Sequence, residues 1–338
     1  MQRTIINTDK LSAAYRIRAL DIPGRRLLIT RFTGSDQEKD FTEPANCRGF
    51  GRVRHFRRFR GDRWPLNPLP IDPASRALGL RPGVELRAQV FQNAVCNWRC
   101  WYCFVDFKLL SANRAFSEWL SVEELLDLYL AENNRPPMID LTGGQPDLTP
   151  EWVPWMMQAL RARGLHQSVY LWSDDNLSND YFWRYLSDED QTLIKTYPMY
   201  GRVCCFKGFD SASFAFNTAA DPHLFDRQFE LFRRLFALGI DLYAYVTLTC
   251  DHTDGLVNAM RSFIDRLQAI DPNLPLRIVP LEISMFTPLE NRIRESQRKA
   301  ISNQYTAVDA WHHEIATRFD ASLRSLPITQ VPMERGIE

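Results

Sequence analysis

The sequence predicts an α/β protein: a partial, TIM-like (β/α)6 barrel with an N-terminal extension and a C-terminal helix. Two observations predict it: six apolar strand candidates alternate with helical patterns after about residue 85, and helix start and stop signals fall between them. The length, 338 residues, suits one such barrel with flanking segments. Strands separated by helices imply a parallel sheet, because each crossover returns the chain in the same direction. The expected organisation is an extension over 1–85, the barrel over 86–290 and a helical segment over 291–338.

Within the extension, an apolar run at 27–32 reads as a strand, and a proline-rich connector spans 64–73, where fixed φ angles disfavour helix. The barrel strands are expected at 85–95, 138–141, 168–172, 202–206, 241–248 and 276–283. Ser121 with Glu124 spells a capping box, Thr149-Pro150 opens a helix ending at Gly164, and Asp221-Pro222 opens one ending at Gly239. A further helix is expected over 254–270. The last, over 294–319, places Ile301, Tyr305, Val308, Trp311, Ile315 and Phe319 on one stripe, which is a docking face.

The chain carries 41 basic and 41 acidic residues, so no sustained positive field draws it to nucleic acid or to an anionic membrane. It opens without the apolar core of a secretory signal, and no stretch approaches the ~20 apolar residues that span a bilayer. A cytoplasmic protein without membrane contact is expected. Of seven cysteines, three crowd into Cys96-Asn-Trp-Arg-Cys100-Trp-Tyr-Cys103, directly after the first barrel strand. In a reducing compartment such crowding points to metal ligation, and soft thiolates select zinc or an iron–sulfur cluster. Structural zinc needs four closed ligands, and the nearest further candidates are Cys47 and His55.

This C-x3-C-x2-C spacing, with the aromatic Tyr102 before its third cysteine, resembles the signature of the radical S-adenosylmethionine enzymes, over residues 86–290. The resemblance implies that Cys96, Cys100 and Cys103 hold a 4Fe-4S cluster whose fourth iron is chelated by S-adenosylmethionine. Reductive cleavage then yields a 5′-deoxyadenosyl radical that abstracts hydrogen from a substrate. Leu141-Thr-Gly143-Gly144-Gln145-Pro146 is similar to the family's Gly-Gly-Glu-Pro motif, whose peptide groups would bind the cofactor's amino group. Gln145 stands where relatives have Glu, and Asp147 is the carboxylate that would compensate. Ser173, Asp174 and Asn176 end the third strand as candidates for the ribose or methionine moiety. Lys207, one of six lysines, resembles the lysine that pairs with the cofactor carboxylate in the radical-activating branch. Ile278 and Leu281 on the sixth strand are candidates for adenine contact. Cys204 and Cys205 face opposite sides of a strand, which favours inert buried thiols at both, and Cys250 reads the same way.

The family implies an external electron donor of flavodoxin or ferredoxin type. The substrate is unidentified; a glycyl-radical protein and a nucleotide or RNA both suit the pattern. Arginines 48, 52, 54, 57, 58, 60 and 63, interleaved with Phe50, Phe56, Phe59 and Trp64, have the composition of a nucleic-acid surface. Overall neutrality favours a solvated strand pair instead. The alternative to an enzyme is a non-catalytic metal-binding scaffold that binds nucleic acid through this segment.

Overall fold

A computed structural model describes residues 5–59 and 64–334. The strands are β1 (Leu20–Asp21), β2 (Arg26–Thr30), β3 (Gly51–Arg57), β4 (Glu85–Phe91), β5 (Ser117–Ser121), β6 (Met138–Leu141), β7 (Tyr170–Asp175), β8 (Tyr200–Phe206), β9 (Leu242–Thr247) and β10 (Ile278–Leu281). They form two sheets. A small antiparallel one has the order β1-β2-β5, and a curled seven-stranded one has the order β10-β9-β8-β7-β6-β4-β3. Each of the six expected barrel strands is present, and all six run parallel in chain order. β3, from before residue 86, joins the same sheet antiparallel to β4.

The two faces of the large sheet are chemically distinct. Side chains alternate along each strand, and residues in register on neighbouring parallel strands share a face. Phe206 on β8 packs against Phe229, Phe232 and Phe263 of the helices Leu224–Ala237 and Leu256–Gln268, so its parity marks the helix-facing side. Each of these buried rings contributes about 1.5–3 kcal/mol through apolar area removed from water. The opposite parity, Cys205, Val203 and Gly201 with Trp172 and Asp174 on β7 and Asp140 on β6, is the inward face. Gly201 is required there, because a Cβ would lie 2.7 Å from the Trp172 ring. Tyr170, Trp172 and Tyr243 form an aromatic layer, with Trp172 at 6.1 and 6.0 Å from its neighbours.

The signals between strands act as read. Ser121 and Glu124 make a reciprocal capping box for the helix Val122–Ala131, and Gly164 and Gly239 adopt φ of +68° and +76° past their helix ends. The long helix Glu295–Arg318 buries Val308 and Trp311, the latter 6.3 Å from Phe263. The proline-rich segment follows β3 to the far edge of the sheet: Trp64 Nε1 donates to Pro280 O at 3.0 Å, and Tyr245 Oη donates to Leu69 O at 3.1 Å. Among the described residues, no helix is long and apolar enough to cross a membrane.

Candidate functional site

The cysteine loop leaves the carboxyl end of β4 and is held from three sides. Cys96 N–H donates to Leu110 O at 3.1 Å, and Trp101 donates through its backbone to Asn217 O (3.1 Å) and through its indole to Asn217 Oδ1 (2.9 Å). From the N-terminal helix Thr8–Ala19, Ser12 Oγ accepts from Asn97 Nδ2 (2.9 Å) and Thr8 Oγ1 accepts from Trp98 Nε1 (3.0 Å). The loop is thus fixed before any ligand arrives. None of its three cysteines is in a disulfide; Cys96 is buried, and Cys100 and Cys103 are half-buried. Burial pushes the Cys96 thiol up and Cys100 to about 12, while the Lys207 cation opposes both shifts. The Trp98 backbone amide beside Cys96 also favours its thiolate.

Among the described residues, no three His, Cys, Asp or Glu side chains close on a point that one metal ion would fill. An iron–sulfur cluster has a different requirement, since each thiolate binds its own iron. Three unpaired thiols in one loop, beside a cation that favours the ionised form of Cys96 and Cys100, fit that donor set.

Lys207 lies just beyond β8 on the inward side, the side that Cys205, two residues earlier and within the strand, also faces. Burial alone would lower Lys207, but Cys205, Tyr102, Cys100 and Cys96 outweigh it and hold the ammonium charged well above the ordinary lysine range. Burial pushes the Cys205 thiol up to about 11 and the Lys207 cation opposes that rise, which places a thiol expected to be inert inside the site. The signal was in the sequence: residues 205 and 207 are two apart across the end of one strand, the spacing that shares a face. Tyr102 completes this side, with its hydroxyl 3.0 Å from Thr247 Oγ1 and its ring edge-on to Trp101. Leu281 packs into the same cluster.

The Gly143-Gly144 turn is shaped by the protein itself. Gly144 has φ of +63°, and a Cβ there would stand 2.4 Å from the carbonyl oxygens of both Asn93 and Val95; Gly143 has φ of +74° against the Gln92 side chain. Gln145 N–H donates to Val95 O at 2.8 Å, locking the turn onto the root of the cysteine loop. The Gln145 side chain is engaged within the protein, donating to Asp175 Oδ1 (2.9 Å) and accepting from Asn176 N–H (3.1 Å). Pro146 opens a short 3-10 turn, Pro146–Leu148. Asp147, expected to compensate for the missing Glu, instead pairs with the buried Arg202 together with Asp175, because the helix-facing side would otherwise leave that guanidinium without a counter-charge.

Alternation also separates the other candidates. Asp174 faces inward and accepts from Thr142 Oγ1, and Asn176 donates to Asn97 Oδ1 at 3.2 Å beside the cysteine loop. Ser173 and Ile278 have the opposite parity and are turned to the helix layer, with Ser173 Oγ 2.7 Å from Tyr200 Oη.

The arginine-rich segment contributes to the interior. Arg52 and Arg54 lie on the inward face of β3; Arg54 Nη1 is 3.8 Å from Asp140 Oδ2, and the Arg52 guanidinium lies over Phe41 and Phe104. Burial, then repulsion from Arg54, lowers Arg52 to about 9. Asp140 is fully buried, and burial followed by repulsion from Asp174 raises it well above the carboxylate range. Arg57 and Arg58 pair with Glu85 and Asp72, Arg48 is exposed, and Arg60 and Arg63 lie outside the described residues. Phe50, Phe56 and Trp64 are buried, so they offer no stacking platform to bases; Phe59 is exposed.

No protein-family model matches the chain, and no curated protein matches its sequence. Solved structures similar to it include Streptococcus suis SuiB bound to S-adenosylmethionine, with 15% identity and TM-score 0.43 over 66% of this chain and 46% of that one. SuiB bound to the precursor peptide SuiA is 15% identical, with TM-score 0.37 over 52% and 36%. Hexahistidine-tagged anSMEcpe with bound AdoMet is 14% identical, with TM-score 0.36 over 52% and 46%. The chain spans less than half the length of each of these proteins.

Proposed function

We propose that this protein is a radical S-adenosylmethionine enzyme in which Cys96, Cys100 and Cys103 hold a 4Fe-4S cluster above the inward face of the sheet. The observation that carries the reading is the meeting of that cysteine loop with Lys207, Tyr102 and the Gly143-Gly144 turn at the carboxyl ends of parallel strands, where barrel enzymes place their chemistry. When bound, the cluster supplies the electron that converts S-adenosylmethionine into methionine and a 5′-deoxyadenosyl radical, which takes a hydrogen atom from the substrate. The protein's own groups orient and enclose. Lys207 presents a cation to the cofactor carboxylate, and the main chain of Gly143, Gly144, Gln145 and Pro146 faces its amino group. Asn176 is assigned to its polar moieties and Leu281 to adenine, while Asp174, one oxygen of which is taken by Thr142, is left to the substrate side. The Gln145 side chain is committed to Asp175 and Asn176, so it acts by holding the turn in place.

An external flavodoxin- or ferredoxin-type donor supplies the electron. Anaerobic reconstitution with iron and sulfide, followed by dithionite and S-adenosylmethionine, is expected to give four irons per chain and 5′-deoxyadenosine. Cys100→Ala abolishes both, while Cys250→Ala loads iron as the parent does. One tightly bound zinc without labile iron, or a loaded cluster that forms no 5′-deoxyadenosine, overturns the proposal.

A further inference from the structure

Outside the groups assigned to the cofactor, one set of charges has no completed partner in the fold. Asp140 is fully buried, and neither of its carboxylate oxygens has a hydrogen-bond partner among the described residues; the Arg54 cation stands 3.8 Å away. Arg52 Nε is likewise buried without an acceptor, although the guanidinium is braced by Phe41 and Phe104 at 5.1 and 5.2 Å. The register sets Arg52 and Asp140 level with each other, one on either side of Val90. Folds rarely retain a bare buried carboxylate and a bare buried guanidinium nitrogen on one face of a sheet unless something else completes them. Asp174 stands one step higher on the neighbouring strand, with one oxygen taken by Thr142.

We infer that this inward cluster is a head-group site for a free α-amino acid, whose ammonium sits on Asp140 and Asp174 and whose carboxylate sits on Arg52 and Arg54. The two arginines disfavour a purely cationic ligand at this position, and the two carboxylates disfavour a purely anionic one. A zwitterion satisfies the bare acceptors and the bare donor together and adds no net charge to a buried site. Trp172, in register with Asp140, gives the ligand's side chain an apolar wall. The inference rests on the radical reading only for what becomes of the ligand, since the amino acid would then be the hydrogen donor.

The test is anaerobic equilibrium dialysis of the reconstituted protein against each of the twenty free L-amino acids. The best binder is then compared with the amine lacking its carboxylate and the acid lacking its amino group. At least one amino acid is expected to bind, and each truncated analogue to bind about tenfold or more weakly, as loss of a charge-assisted hydrogen bond requires. Asp140→Asn should weaken the parent ligand by a similar factor, and the ligand series reads the site even if that variant folds poorly. No binding, equal binding of the truncated analogues, or binding of methionine alone with displacement by S-adenosylmethionine overturns the inference. Formation of 5′-deoxyadenosine without amino-acid binding removes this site alone; amino-acid binding without 5′-deoxyadenosine removes the radical reading alone.

Discussion

Arg202→Met is the most revealing single perturbation of the scaffold. The guanidinium is 1% exposed and lies between Asp147 and Asp175, whose side chains are each 3% exposed, with 2.8 Å to Asp175 Oδ2. Burial is the largest influence on Asp147 and pushes it up to about 8, while Arg202 and further hydrogen bonds outweigh burial at Asp175 and hold it below the usual range. The ionised pair is therefore Arg202 with Asp175. Removing one partner of a buried pair strands the other, at a cost of about 3–5 kcal/mol. In a chain of this size that corresponds to a fall in Tm of roughly 4–7 °C. The network joins the Gln145 turn to the end of β7, so the same variant should also weaken S-adenosylmethionine binding. Thermal melts of the parent, Arg202→Met and Arg202→Met/Asp175→Asn test the argument, and the double variant should recover at least half of the loss. A single variant melting within about 2 °C of the parent, or a double variant no better than the single, would refute the reasoning.

Gly144→Ala should fail to accumulate as folded protein, or lose more than about 2 kcal/mol in urea melts, because its Cβ meets two backbone carbonyls at a positive φ. The raised Asp147 carboxyl binds its proton more tightly folded than unfolded. Its stabilising contribution is complete below the unfolded value near 4 and is lost as pH rises toward 8. Asp147→Asn should therefore flatten the dependence of the urea midpoint on pH between 5 and 8; an unchanged slope counts against the assignment. Lys207→Met removes the cation that opposes burial at Cys100, so iodoacetamide should alkylate Cys100 of the cluster-free protein more slowly at pH 9, as read by mass spectrometry.

The six parallel strands were legible because each is an apolar run bounded by helix signals, and those signals operate at Ser121, Gly164 and Gly239. β5 was not, since Ser-Glu-Trp-Leu-Ser is short and half polar and takes its strand form from pairing with β2, some ninety residues earlier. β3 shows a different limit. Alternating arginines normally mark a solvated face, but at 52 and 54 they point into the interior, because a barrel's centre at its chemical end is polar and the usual inside-outside rule inverts. The crowding of three cysteines into one loop directly after β4 was visible in the sequence. The partners of Asp140 and Arg202 were not, because they come from strands brought together only by the sheet.

The stretch that crosses from β3 to β10 also bears on how the molecule avoids its own copies. An open curled sheet ends in two strands whose spare amide and carbonyl groups invite another chain to add on. Here Trp64 occupies the Pro280 carbonyl, and proline at 280 removes a donor from that same rim. A few rigid residues thus give an unclosed barrel some of the protection that full closure confers, and shortening that bridge should show first as self-association rather than as lost chemistry.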